Sequence, residues 1–101
     1  MTAGLWVVHC SDAPGSADAR AALRPAHSAW WREGPLPASL YGMLSDPSDG
    51  TAAGSLFVVA AEDAAQVRAH LDGDPFWTGG VWSRVRVDAF TPSRHSPVSL
   101  L

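Results

Sequence analysis

The order of apolar and helix-forming segments constrains the fold of this 101-residue chain more than any other feature of its sequence. Residues 54–61 are mostly apolar and centre on Leu-Phe-Val-Val, which is typical of a buried strand. Residues 81–90 alternate between two sets of side chains, as expected of a strand with two different faces. Ala-rich residues 17–33 favour a helix, and residues 64–71 carry apolar side chains at spacings of three and four. The predicted elements are strands at 5–10, 36–44, 54–61 and 81–90, and helices at 17–33 and 62–72.

Two prolines help to predict where helical segments break or begin. Pro25 lies inside the first helical segment, so we expect a break or kink at residues 23–24 and a second helical piece over 25–32. Asp74 precedes Pro75 in the pattern of an N-cap followed by a proline at the first helical position. One short extra helical turn is therefore predicted from this point to Trp77.

The resulting order, β-α-β-β-α-β, predicts an α+β fold of the ferredoxin-like type, a four-stranded antiparallel sheet with two helices on one face. The length fits a single domain, which we place at residues 1–90, followed by a C-terminal tail at 91–101. The helices leave the second face of the sheet uncovered, and Trp82 and Phe90 are expected on it. An apolar face of this kind favours coverage by a second copy of the chain, so a homodimer is predicted.

Composition and charge argue against several classes of function. The chain has seven basic residues, all Arg, against ten acidic ones, which disfavours sequence-independent binding of nucleic acid. No apolar run approaches the roughly 18 residues of a membrane span, and no signal peptide is expected. A single cysteine, Cys10, is expected to be an inert core residue and suits a reducing cytoplasm. The four histidines, of which His70 and His95 are expected at the surface, lack metal-ligand spacing, so no metal is predicted.

Four short motifs occur in a characteristic order along the chain: Arg-Pro-Ala-His at 24–27, Gly-Ser at 54–55, Asp-Pro-Phe at 74–76 and Gly-Val-Trp at 80–82. Together they resemble the YciI-like (YCII-related) proteins, and the resemblance runs from about residue 5 to residue 90. It implies a dimeric α/β barrel built from ferredoxin-like subunits. It also implies a small enzyme that uses a His–Asp pair, and one branch of the family performs a dehydrochlorinase-type elimination on a hydroxylated aromatic ring. The fold is also similar to that of muconolactone isomerase.

The resemblance assigns the family histidine to His27 and the family aspartate to Asp46. Met43 stands where the family usually has proline, and a second acid, Asp49, lies nearby, so either acid is a candidate partner. Chemically, an imidazole exchanges protons near neutral pH. A carboxylate that accepts its Nδ1–H leaves Nε2 to face the substrate. Such a pair suits isomerisation, elimination or cyclisation without a cofactor.

The remaining candidate residues are aromatic or flank the predicted motifs. Asp74 is interpreted first as a helix cap, although its motif also borders the expected pocket. Adjacent Trp30 and Trp31 point about a quarter-turn apart on a helix, so one is expected in the core and the other at the pocket or the dimer seam. The full prediction has His27 and Asp46 as catalytic residues, and Trp6, Trp30, Trp31, Met43, Asp49, Asp74, Phe76 and Trp82 as substrate-binding residues.

Two classes of function follow. The first is a cytoplasmic, cofactor-free lyase or isomerase that acts on a small oxygenated cyclic or aromatic metabolite, as in natural-product tailoring or aromatic catabolism. The second is a non-catalytic small-molecule-binding or accessory protein with the same fold. A haem-degrading or oxygen-using monooxygenase of this fold is a third and weaker alternative.

Overall fold

A computed structural model describes residues 4–98 of the chain as one antiparallel sheet with helices on one face. The strands follow the spatial order β2-β3-β1-β4, and every neighbouring pair is antiparallel. The predicted ferredoxin-like fold is therefore confirmed. The elements are β1 (Gly4–Asp12), α1 (Ala17–Glu33), β2 (Ala38–Ser45), β3 (Ala52–Ala61), α2 (Ala64–Asp72), α3 (Pro75–Thr78) and β4 (Trp82–Phe90).

The two central strands, β1 and β3, explain the nearly continuous apolar runs in the sequence. Each pairs on both sides, so its alternate residues contribute to two buried or half-buried surfaces. On the helix side, Val8, Phe57 and Val59 are almost completely buried and pack beneath α1 and α2. One core cluster thus joins the sheet to all three helices. Its buried members are Val8, Cys10, Trp31, Leu36, Phe57, Val59, Ala61, Val67, Leu71, Phe76, Val81 and Trp82.

Helix α1 runs without interruption through Pro25, so the predicted break at residues 23–24 is wrong. Proline removes the hydrogen bond that its backbone N–H would donate to the carbonyl of Ala21. Both Pro25 and Ala21 lie on the exposed side of the helix, where water can satisfy that carbonyl. Packing of His27 and Trp31, both buried, holds the half of α1 that follows the proline against the core.

A β-bulge in β4 places Trp82 on the helix side of the sheet, which corrects its predicted position on the uncovered face. Ser11 pairs with Arg84 and Asp12 pairs with Trp82, so Ser83 is an extra residue in β4. The extra residue reverses the alternation of faces at the start of the strand. Trp82 is consequently almost fully buried in the core, whereas Ser83 is exposed.

The second face of the sheet carries no helix from this chain. Leu40 and Phe90 are exposed on it, beside the partly buried Val7 and Leu56. Beyond β4, residues 91–98 form turns and bends rather than a helix or strand, and residues 99–101 of the predicted tail lie outside the described residues. No helix within residues 4–98 is both long enough and apolar enough to cross a membrane.

Candidate active site

His27 and Asp74 form a buried pair between α1 and the turn that begins α3. The Nδ1 atom of His27 lies 2.8 Å from Oδ1 and 3.0 Å from Oδ2 of Asp74. His27 is 8% exposed and Asp74 is 0% exposed. Since a carboxylate can only accept, Nδ1 carries a hydrogen, and in the neutral form of the ring the lone pair is then on Nε2. Nε2 forms no hydrogen bond with the described residues, and the ring borders a cavity.

Asp74 is held by two further donors as well as by His27. Trp31 donates from Nε1 to Oδ2 at 2.6 Å, and the backbone N–H of Phe76 donates to Oδ1 at 2.9 Å. The bond from Phe76 is the helix cap of α3 that the Asp-Pro motif predicts. One carboxylate therefore caps a helix and orients an imidazole at the same time.

Aromatic rings determine the plane of His27. Its ring stacks on Phe76, with centroids 3.9 Å apart and planes 6° from parallel. The ring centroids of Phe57 and Trp82 lie 5.9 Å and 5.7 Å from that of His27, and their planes are inclined to it by 66° and 87°. Together with the bond to Asp74, these contacts restrict rotation of the imidazole, which is the condition for directed proton transfer.

The predicted pairing of His27 with Asp46 or Asp49 is wrong within this chain. Both acids lie in the exposed turn between β2 and β3. Asp46 accepts hydrogen bonds from the backbone and hydroxyl of Ser48, and Asp49 accepts the equivalent pair from Thr51. These bonds lower the pKa of each carboxyl group. Both side chains act as turn formers, as this Ser/Asp/Pro/Gly-rich segment also allows.

A cavity of about 370 Å³ opens between α1 and strands β2 and β3, with His27 and Phe76 in its wall. This volume is at the low end of the range for small-molecule sites, roughly 300–1,000 Å³. The wall combines aromatic and aliphatic surface with a few polar groups. Its other functional side chains are Arg20, Arg24, Ser28, Tyr41, Met43 and Ser55.

A hydrogen-bond network centred on Arg20 contributes to the wall of the cavity. Its guanidinium makes a two-pronged ion pair with Asp12, at 2.8 Å and 2.9 Å. The same group donates to the carbonyl of Gly54 at 2.9 Å and to Oγ of Ser55 at 3.0 Å, and it lies 4.8 Å above the Phe76 ring. Arg24, one turn along α1, is exposed and forms no ion pair within residues 4–98.

The predicted substrate-binding residues fall into three groups. Met43 and Phe76 line the cavity. Trp31, Asp74 and Trp82 lie behind its wall and contact His27 or its partner. The other three are not in the wall: Trp6 donates to the carbonyl of Ala61, Trp30 donates to that of His70, and Asp49 is in the exposed turn.

Sequence reasoning missed the polar side of the cavity, which α1 supplies with help from the strands. Arg20, Arg24, His27 and Ser28 follow one another at helical spacing, so a projection of α1 around His27 would have found them. Ser55, by contrast, comes from β3: the Gly-Ser motif includes it, but no local pattern in the sequence places it beside α1.

Two other titratable side chains are buried near the pair. His70 is 9% exposed rather than at the surface as predicted, because Trp30 and Trp31 pack against its ring. Burial lowers the pKa of His70, an effect that the nearby Asp74 carboxylate opposes. Cys10 is fully buried, and burial raises the pKa of its thiol far above the ordinary value. Among the described residues, no group of three or more His, Cys, Asp or Glu side chains is arranged to hold a metal ion.

The family model of the YCII-related domain matches residues 4–91 of this chain. The chain belongs to the YCII-related family. This confirms the resemblance that the four short motifs indicate. No curated protein matches the sequence with significance.

Several solved structures share the fold of this YCII-related chain. The 5-chloro-2-hydroxyhydroquinone dehydrochlorinase TftG from Burkholderia phenoliruptrix AC1100, in complex with 2,5-dihydroxybenzoquinone, has a TM-score of 0.79 and 23% identity over 90% of this chain and 97% of that chain. SnoaB, a cofactor-independent oxygenase from Streptomyces nogalater, has a TM-score of 0.55 and 13% identity over 97% of this chain and 100% of that chain. PA3566 from Pseudomonas aeruginosa has a TM-score of 0.53 and 18% identity over 92% of this chain and 96% of that chain. At these identities the comparisons establish the fold.

Proposed function

We propose that this chain is a small enzyme that transfers protons on an oxygenated ring compound, with His27 as the acid–base group and no bound cofactor. The observation that carries the proposal is the buried His27–Asp74 pair at the wall of a cavity. Nε2 of His27 forms no hydrogen bond with the described residues, and the ring borders the cavity, which supports contact between the imidazole and a bound molecule. The chemistry is of the lyase or isomerase type.

The proton transfer uses the two ring nitrogens of His27 in different roles. Nε2 accepts a proton from a hydroxyl or carbon of the substrate, and the freed electron pair forms a new π bond or an enolate. The imidazolium that results is stabilised by the Asp74 carboxylate at Nδ1. The proton then returns to another atom of the substrate in an isomerisation. In an elimination it passes to solvent after an anion has left the ring.

The substrate class follows from the wall of the cavity. Phe76 and Tyr41 offer flat apolar surface, while Arg24 and Ser55 offer donors to oxygen. These features suit a small ring with hydroxyl or carbonyl groups. The shared fold with a dehydrochlorinase that binds 2,5-dihydroxybenzoquinone supports the same class.

The proposal includes a homodimer in which the uncovered faces of two sheets pack together. Exposed Leu40 and Phe90, with Val7 and Leu56 beside them, give that face an apolar surface. The single buried thiol of Cys10 is in keeping with a reducing cytoplasm.

A proton-exchange experiment tests the acid–base role directly. The protein is incubated in D₂O with 2,5-dihydroxybenzoquinone, and exchange of the ring hydrogens is followed by NMR. His27→Gln should slow the catalysed exchange by about 10²- to 10⁴-fold, because it removes the acid–base group. His95→Gln, which changes an exposed imidazole, is the matched control and should exchange at the wild-type rate.

Binding of the same compound, measured by tryptophan fluorescence, separates the outcomes. Retained binding with lost exchange in His27→Gln supports the enzyme. Equal exchange rates in the wild type and His27→Gln, with binding retained, would leave the alternative of a non-catalytic binding protein. If exchange depends on His27, chloride release from 5-chloro-2-hydroxyhydroquinone under nitrogen would identify elimination as the reaction type.

A further inference from the structure

The hydroxyl of Ser55 has an unusual set of neighbours for a buried polar group. Oγ receives a hydrogen bond from Nη2 of Arg20 at 3.0 Å and another from Nε1 of Trp82 at 3.3 Å. Ser55 is 3% exposed and contributes to the cavity wall. These two contacts therefore determine whether the hydroxyl can donate a hydrogen bond to a bound molecule or accept one from it.

Both neighbours of Ser55 can only donate. A guanidinium has five N–H donors and no acceptor, and an indole nitrogen is a donor only. Oγ is consequently the acceptor in both contacts, and neither contact uses the hydroxyl hydrogen. The hydroxyl hydrogen itself finds no acceptor among residues 4–98, so it remains available to a ligand.

We infer that Ser55 is a preoriented hydrogen-bond donor to an oxygen of the bound ring. This inference rests on the proposed function of His27. As His27 removes a proton, negative charge develops on a phenolic or enolic oxygen, and a fixed donor stabilises that charge more than it stabilises the neutral ring. The positive charge of Arg20 polarises the hydroxyl and strengthens the donor.

The bulge in β4 and the short side chain at residue 55 make this arrangement possible. Without the extra residue Ser83, Trp82 would face the opposite side of the sheet and would not reach Oγ. Ser55 also pairs with Cys10 in the ladder, so its backbone is fixed at the centre of the sheet. The donor is therefore positioned by the rigid part of the fold.

Two probes of nearly the same shape test the inference: 4-nitrophenolate, at a pH above the pKa of the phenol, and nitrobenzene, which lacks the oxygen. Ser55→Ala should weaken binding of the phenolate by about 10- to 100-fold, which is the range for a hydrogen bond to a charged group. Binding of nitrobenzene should change by less than about threefold, since its ring contacts remain. Dissociation constants are measured by quenching of tryptophan fluorescence.

Trp82→Phe provides a second and independent measurement. It keeps the hydroxyl and a ring, but it releases one lone pair of Oγ, so the hydrogen is no longer fixed in one direction. The phenolate should bind about 3- to 10-fold more weakly, again with little change for nitrobenzene. If Ser55→Ala does not fold, Ser55→Cys carries the test, because it keeps the branching of the side chain and offers only a weak donor.

The outcomes distinguish this inference from the proposed function. Equal weakening of both probes by Ser55→Ala means that Ser55 only shapes the wall, which overturns the inference. Unchanged phenolate binding overturns it as well, and in both cases loss of exchange in His27→Gln would leave the proposed function intact. Failure of the wild type to bind 4-nitrophenolate, nitrobenzene and 2,5-dihydroxybenzoquinone would overturn both.

Discussion

Replacing Asp74 by Asn is the most informative single change, because it keeps the shape of the side chain and alters only its hydrogen-bonding groups. Oδ1 accepts from the backbone of Phe76, Oδ2 accepts from Trp31, and His27 lies within 3.0 Å of both oxygens. An amide has one acceptor oxygen and one donor nitrogen. In either orientation of the amide, a buried N–H of Phe76 or Trp31 therefore faces another donor.

The expected loss of stability follows from this one unpaired donor. One buried donor without a partner costs about 1–3 kcal/mol, and the remaining bonds lose their assistance from the carboxylate charge. We expect Asp74→Asn to lower the free energy of unfolding by about 2–4 kcal/mol, as measured by urea titration at a fixed protein concentration. Asp72→Asn, in an exposed position two residues earlier, is the control and should change it by less than about 0.5 kcal/mol.

The same substitution should also remove catalysis. An amide NH₂ that donates to Nδ1 stabilises the tautomer with its hydrogen on Nε2, and that nitrogen can then no longer accept a proton from the substrate. Exchange of ring hydrogens should fall by about 10³- to 10⁴-fold while binding is retained. An Asp74→Asn protein that stays as stable and as active as the wild type would refute the assignment of this carboxylate as the orienting group.

Three further predictions concern other parts of the molecule. Burial lowers the pKa of His70 below the ordinary value of 6.5, so the stability that its neutral form contributes is present above pH 6.5 and is lost as the pH falls below it through the lowered pKa of the folded state. His70→Gln should therefore flatten the fall in urea-measured stability below pH 6.5, and an unchanged slope would contradict this. The Cys10 thiol is buried and its pKa is raised, so it should resist a disulfide reagent in the native protein and react at once in urea. Rapid reaction of the native protein would contradict this and would show that the core opens. Leu40→Asp, on the open face and 53% exposed, should dissociate the proposed dimer in sedimentation experiments, whereas Met43→Asp, 54% exposed on the cavity side of the same strand, should not. Equal behaviour of the two variants would contradict the proposed interface.

Local patterns were sufficient to predict the order of the elements. Strand and helix periodicities are properties of neighbouring residues, so β3 and α2 could be recognised from short segments alone. The cap of α3 was equally local, because Asp74 and Pro75 are adjacent. The motif around His27 identified a residue that the structure places at a cavity wall.

Contacts between distant segments could not be predicted in the same way. His27 and Asp74 are 47 residues apart, and only the packing of α1 against α3 brings them together. Family resemblance pointed to Asp46 as the partner of His27. In the structure, however, the turn that contains Asp46 directs its carboxylate toward Ser48. The position of Trp82 depended on a one-residue bulge, which reverses the strand alternation without leaving a clear signature in the sequence.

The turn that begins α3 connects folding to the chemistry of the site. Asp74 caps this short helix and holds His27, while Phe76, two residues later, stacks on the same imidazole. A four-residue helix is not stable by itself, so α3 must form together with its contacts to α1. The orientation of His27 and the formation of α3 are therefore one event, and a change that melts α3 should disable the imidazole even when His27 itself is left unaltered. This coupling also explains why an N-cap aspartate, the simplest interpretation of the Asp-Pro-Phe motif, is compatible with a part in catalysis.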